Sequence, residues 1–266
     1  MEPRSPFTFY KYQGTGNDFV IIDARTAMPF AATDVETIAH LCDRRFGIGA
    51  DGLILLRQAA GYDFEMLYFN ADGRPSSMCG NGGRCITAFA KMLGIFQDSC
   101  RFLAVDGPHE AKVRADGWVE LKMGEVSAVE KGEDFFFLDT GSPHYVTFVE
   151  DLDDIDVPDL GSTIRYSEPY AKAGTNVNFV EVQQNTLLVG TYERGVEDET
   201  LSCGTGVTAA AIAHVVKHQK VGAQVVPIQT KGGALEVRLE IGTEGFHSIW
   251  LCGPASLVFE GSVGVN

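Results

Sequence analysis

The stretch Met78-Cys79-Gly80-Asn81-Gly82-Gly83-Arg84-Cys85 runs into the apolar segment Ile86–Leu93 and predicts a thiol at a helix N-terminus. The first backbone N–H groups of a helix lack intrahelical acceptors, and the helix dipole favours negative charge there. Both effects make a thiolate available near neutral pH. The glycines let a ligand approach the backbone, and a carboxylate is the natural guest at such an end. The pattern recurs: Leu201-Ser202-Cys203-Gly204-Thr205-Gly206 opens a second apolar run, Val207–Val216. Two such thiols facing one another would carry a proton onto one face of a carbon and off the other.

The segments around these helices also recur. Asn17 lies 62 positions before Cys79, and Ser142 lies 61 before Cys203. Each half reads as a hairpin, a helix, a glycine-rich string, a strand pair, the Cys-helix and further strands. The first hairpin is Phe7–Gln13 and Asp18–Ala24 around Gly14-Thr15-Gly16-Asn17; the second is Asp134–Asp139 and Tyr145–Val149. Thr33 and Glu36 form a capping box that predicts a helix to about Arg45. A shorter helix is expected near Leu160–Arg165. The whole reads as a duplicated domain, one central helix per half wrapped by antiparallel strands. A pseudo-two-fold between the copies would bring both helix starts into one cleft.

Composition narrows the function. Acidic residues number 36 against 21 basic ones, with no long single-sign run, which argues against nucleic acid or anionic membrane as partner. The first residues show no export signal, and no apolar run approaches the ~18 residues of a membrane span. The expected location is the cytoplasm, where thiols stay reduced. The six cysteines show no C-x-x-C spacing and no histidine at zinc-ligand distance. Cys42, Cys85, Cys100 and Cys252 read as small buried hydrophobes. Gly47-Ile48-Gly49-Ala50-Asp51-Gly52 matches the dinucleotide fingerprint by letter only, because a helix precedes it and a strand follows. No cofactor and no metal is expected.

Six strings together resemble the diaminopimelate epimerase family: Gly-Thr-Gly-Asn-Asp-Phe (14–19), Gly-Ile-Gly-Ala-Asp-Gly (47–52), Phe-Asn-Ala-Asp-Gly (69–73), residues 78–85, Tyr-Glu-Arg-Gly (192–195) and Ser-Cys-Gly-Thr-Gly (202–206). The resemblance spans nearly the full length. It implies an α+β fold of two pseudo-symmetric domains, each a barrel-like antiparallel sheet around a central helix. The first domain would take 1–127 plus 255–266 and carry Cys79; the second would take 128–254 and carry Cys203. It implies a pyridoxal-independent epimerase of LL- and meso-2,6-diaminopimelate, in lysine biosynthesis, with Cys79 donating and Cys203 accepting the proton in the LL-to-meso direction. Gly80, Asn81, Gly204 and Thr205 would cradle the reacting carboxylate. Asn17, Asn70, Asn176, Glu193 and Arg194 would bind substrate, with Arg194 forking the distal carboxylate and Glu193 pairing an ammonium. His144 and Glu193 would tune the site.

Two positions depart from the family pattern: Gly52 stands where many members carry glutamine, and Ser142 where many carry asparagine. The partner is a small molecule, and a homodimer is compatible with the sequence. Competing readings are a proline or hydroxyproline racemase of the same fold, disfavoured by Asn81 where that family has histidine, and a non-catalytic amino-acid-binding or redox-sensing protein.

Overall fold

A computed structural model of the protein describes residues 5–264; what was expected of residues 1–4 and 265–266, at the ends of the first domain and of the chain, lies outside them. Contacts divide the chain into two compact units, 1–121 with 254–266, and 122–253.

The first unit begins with the hairpin β1 (Phe7–Gly14) and β2 (Asn17–Asp23), closed by Thr15 and Gly16, both at positive φ. Helix α1 (Val35–Cys42) leads to β3 (Gly52–Arg57) and β4 (Phe64–Asn70). Helix α2 (Gly80–Met92) then precedes β5 (Ser99–Ala104), β6 (Gly107–Val113) and β7 (Val119–Lys122). The chain's last strand, Ser256–Val263, returns to pair antiparallel with β1. Strand β3 shows how period-2 alternation builds the layers. Leu53 and Leu55 pack with Ile38 and Leu41 of α1, while Ile54 comes up against Gly82 of α2 on the other face. Leu53 through Leu56 are therefore fully buried as an unbroken apolar run.

The second unit repeats the plan. The short β8 (Glu130–Lys131) is followed by the hairpin β9 (Phe136–Asp139) and β10 (Pro143–Val149). Helix α3 (Val157–Arg165) leads to β11 (Asn176–Gln183), β12 (Thr186–Glu193) and a three-residue β13 (Asp198–Thr200). Helix α4 (Gly204–Lys217) precedes β14 (Gly222–Thr230), β15 (Gly233–Gly242) and β16 (Gly245–Gly253). Thr208 through Ala213 are fully buried, so α4 is apolar all round, as a helix at the centre of a core must be. Its alanines let Val146, Val189, Val237, Leu239 and Leu251 close in around it.

The sheets are mixed, where antiparallel wrapping was expected. Each helix is the crossover between two parallel neighbours: α1 joins β2 to β3, α2 joins β4 to β5, α3 joins β10 to β11, and α4 spans β12 to β14. Parallel neighbours need such a crossover, whereas the hairpins remain antiparallel. The α1 boundaries also differ from the capping-box reading. Asp34 is the N-cap, its Oδ1 accepting from the Thr37 N–H at 3.2 Å. The helix stops at Cys42 because Asp43 Oδ1 accepts from the backbone N–H of Arg45 and of Phe46, both at 2.7 Å, which turns the chain. Helix α3 starts earlier than expected, at Val157, capped by Asp156 and carrying Pro158 in its first turn. Strands β8 and β13 were not anticipated. Among the described residues, no helix is long and apolar enough to cross a membrane.

Candidate active site

Cys79 and Cys203 occupy the same local position in their units. Each is the extended N-cap residue of the central helix, with φ/ψ of −98/128° and −113/113°. The first intrahelical bonds run from Gly83 N–H to Cys79 C=O (2.7 Å) and from Val207 N–H to Cys203 C=O (2.9 Å). The three N–H groups before each of these bonds therefore point out of the helix start without an intrahelical acceptor. Cys79 is half-buried and Cys203 is buried. Cys42, Cys85, Cys100 and Cys252 are all buried, and none of the six is in a disulfide. Burial pushes Cys42, Cys85 and Cys100 up to about 12, so these stay as thiols.

In the first unit the Cys79 helix is bordered by an ordered polar chain. Arg44 bridges Asp18 and Asp51, and Lys11, buried, pairs with Asp18 at 2.8 Å. Burial alone would raise Asp18, but Arg44 and Lys11 outweigh it and hold its carboxyl far below the usual carboxylate range. Asn17 Nδ2 donates to Asp51 Oδ2 at 2.9 Å, and Asn81 Nδ2 donates to Asn17 Oδ1 at 2.6 Å. A carboxylate can only accept, so Asp51 fixes which way the Asn17 amide faces. Asn17 and Asn81 are thus brought together beside Cys79 and Gly80. Asn70 is exposed and sits opposite Gly52 in the β3–β4 register.

Gly52 has a steric reason. A Cβ there would lie 2.5 Å from Phe69 O and 2.5 Å from Tyr68 Cε2. The Tyr68 ring thus fills the space in which a longer side chain would start, with its hydroxyl 3.1 Å from that Cβ position. Gly52→Ala is expected to destabilise the protein by ~1–3 kcal/mol, since a backbone carbonyl cannot yield as a side-chain tip can. Calorimetry checks this as a fall of several degrees in Tm; an unchanged Tm would show that the pocket has slack.

The second unit collects more of the expected residues. Burial pushes the Glu193 carboxyl up, while bonds from Thr200 and from the Cys203 thiol draw it partly back. Thr200 Oγ1 donates to Glu193 Oε2 at 3.0 Å, a contact that β13 exists to make by pairing Asp198 with Glu193. Glu193, expected both to pair an ammonium and to tune the site, is here a partner of the Cys203 thiol. The Cys203 sulfur also lies 3.5 Å from Thr205 Oγ1. Thr140 Oγ1 donates to Thr205 C=O at 2.9 Å, tying the β9–β10 turn to the first turn of α4.

Asn176 is largely a scaffold. Its Nδ2 donates to Ser142 Oγ (2.9 Å) and Pro143 C=O (3.0 Å), and its Oδ1 accepts from Arg194 N–H (2.9 Å). What it retains is one lone pair, suited to an ammonium. The exposed Arg194 guanidinium is held by Ala173 C=O at 3.1 Å and Ser142 Oγ at 3.3 Å. Ser142 thus supplies the polar atom that orients both Asn176 and Arg194. His144 is fully buried, and burial together with the Arg194 charge pushes it down to about 3, so its ring is neutral. Asn178 Nδ2 lies 3.0 Å from His144 Nδ1 and Thr191 Oγ1 donates to Asn178 Oδ1 at 3.0 Å; these two, with Asp51, Tyr68 and Thr200, were not singled out from sequence. Asn178 and Thr191 lie two positions from Asn176 and Glu193 along their strands, hence on the same faces.

The family model for diaminopimelate epimerase matches residues 9–129 and 136–258. The chain belongs to the diaminopimelate epimerase family. It is 49% identical to the diaminopimelate epimerase of Flavobacterium psychrophilum over 255 residues, covering 96% of this chain and 99% of that one. It is 42% identical to that of Chlorobaculum tepidum, covering 94% and 98%. Membership makes the chain an isomerase of the epimerase type. Solved structures share the fold at low identity. A phenazine biosynthesis protein of the PhzF family from Bacillus anthracis has a TM-score of 0.74 at 14% identity, over 97% of this chain and 99% of that one. A hydroxyproline epimerase from Agrobacterium vitis has a TM-score of 0.70 at 13% identity, over 100% and 93%.

Proposed function

We propose that this diaminopimelate epimerase family member interconverts LL- and meso-2,6-diaminopimelate in lysine biosynthesis, using Cys79 and Cys203 as acid and base and no cofactor. The observation that carries the proposal is the matched pair of helix starts, each capped by a cysteine and each presenting outward N–H groups. An α-carboxylate bound by such N–H groups has preorganised donors where the carbanion's charge develops. In the LL-to-meso direction Cys203 takes the α-proton and Cys79 returns one to the opposite face.

The neighbours fit these roles. The Glu193 carboxyl, raised by burial, sits against the Cys203 thiol, where it can hold the proton that the thiol must lose and regain. Arg194, held by Ala173 and Ser142, offers a bidentate fork to the distal carboxylate. Asn17 and Asn81, hydrogen-bonded to each other, and Asn70 are assigned to substrate binding in the first unit, and Gly80, Gly204 and Thr205 to supplying backbone N–H groups. Thiol chemistry of this kind suits the reducing cytoplasm, where we place the protein.

Reduced protein given LL-diaminopimelate in deuterium oxide, with no added cofactor, is expected to yield meso product carrying α-deuterium. Racemisation of proline in its place, or no exchange of the α-proton, would overturn the proposal.

A further inference from the structure

The second unit contains a hydrogen-bond relay that sets the protonation pattern of His144. Asn178 on β11 lies opposite Thr191 on β12 and two positions along from Asn176, the partner of His144 on β10. Asn178 Nδ2 lies 3.0 Å from Tyr145 C=O and 3.0 Å from His144 Nδ1, and Thr191 Oγ1 donates to Asn178 Oδ1 at 3.0 Å. A backbone carbonyl only accepts. The Asn178 NH2 must therefore be the end that faces Tyr145, and the same nitrogen supplies its second hydrogen toward the imidazole. His144 Nδ1 must then be bare, and the ring proton must sit on Nε2. Turning the amide over would set Asn178 Oδ1 against the Tyr145 oxygen, two acceptors at 3.0 Å with no proton between them.

The other end of the ring is open. His144 is fully buried, and its Nε2 has no hydrogen-bond partner among the described residues. A buried N–H without an acceptor carries a cost that native proteins rarely leave in place without a use. The relay also borders the Cys203 helix: a Cβ on Gly206, in the first turn of α4, would lie 2.5 Å from Asn178 Oδ1 and 3.3 Å from Thr191 Oγ1. Gly206 is thus the residue that admits the amide next to the thiol's helix start.

We infer that Asn178 is a positioning residue that holds His144 in the Nε2–H form, so that a neutral, buried N–H donor is presented to the reacting substrate. The donor role rests on the epimerase reading above; the tautomer does not. A ring fixed in this form gives a hydrogen bond without adding a charge. A third group that locks an imidazole's tautomer is a recognised source of large rate effects.

The test uses the full-length protein labelled with 15N-histidine. In the wild type the His144 Nδ1 resonance is expected in the unprotonated range and the Nε2 resonance in the protonated range. The reverse assignment would overturn the inference, whatever the enzyme's substrate. Asn178→Asp replaces the donor with an acceptor and is expected to move the proton to Nδ1. In that variant kcat for LL-diaminopimelate should fall by about 10²-fold or more, with KM changed only a few-fold. A tautomer switch with undiminished kcat would show that the N–H donor is not used. Thr191→Val is the milder companion, should the aspartate variant fail to fold. It loosens the amide while keeping its shape, and is expected to lower kcat several-fold with mixed tautomer signals; wild-type kcat with those mixed signals would count against the inference. If the wild type shows the predicted tautomer yet does not epimerise diaminopimelate, the functional reading fails and the donor role with it, while the Asn178 relay stands.

Discussion

Alanine in place of Cys79 or of Cys203 is expected to lower turnover of LL-diaminopimelate by about 10³-fold or more, because each removes one of the two proton-transfer groups. The two variants should differ in what survives. With Cys79→Ala the base that attacks the LL substrate remains, so recovered LL-diaminopimelate should slowly gain α-deuterium without inverting. With Cys203→Ala that exchange should vanish from the LL substrate. Near-wild-type turnover in either variant would rule out the two-thiol mechanism. Loss of stability cannot account for the effect: the deleted sulfur is small, and a cavity of that size costs ~1–2 kcal/mol, which a thermal melt reads directly. Cys100→Ala is the control. Burial pushes that thiol up to about 12, it lies within β5 rather than at a helix start, and its replacement should leave turnover within a few-fold.

The two helix starts were legible in the sequence because the chemistry there demands unusual residues. A cysteine followed by small residues and then a long apolar run has few other readings, and its recurrence in the second half made the duplication visible. The parallel strand pairs were not legible. Leu53-Ile54-Leu55-Leu56 is an unbroken apolar run, buried on both faces between α1 and α2, and such a run does not reveal the direction of its neighbours. The α1 start was misplaced by one residue because Thr33 and Asp34 can both cap; backbone geometry chose Asp34. In the site, Cys79, Cys203, Glu193 and Arg194 were read from motifs, whereas Asn178 and Thr191 were missed. Their signal was the strand period: Asn178 follows Asn176 by two and Thr191 precedes Glu193 by two. Gly52 shows the opposite limit. Its identity was visible, but that Tyr68 fills its space depends on cross-strand register, which no local string contains.

His144 should make the protein lose stability as the pH falls below about 6.5. Its ordinary value is 6.5, and in the folded protein burial and the Arg194 charge bring it down to about 3. Between these values the unfolded chain binds a proton that the folded chain refuses. Acid therefore favours unfolding, progressively, from pH 6.5 down to about 3. At ~1.4 kcal/mol per pH unit, the loss reaches about 2 kcal/mol at pH 5. The geometry agrees with the direction, since Asn178 can donate only to an unprotonated Nδ1 at 3.0 Å. Glu193 works the other way: its raised carboxyl takes up a proton in the folded state first, which adds stability as the pH falls through its range. Urea unfolding of wild type and of His144→Gln between pH 6.5 and 4 separates the two. The wild-type stability should fall with a slope steeper by close to one proton, and the variant should lose that part. Glu193→Gln should steepen the fall further. Identical slopes in wild type and His144→Gln would mean that His144 is protonated in the folded protein, and that the site works with an imidazolium rather than a neutral ring.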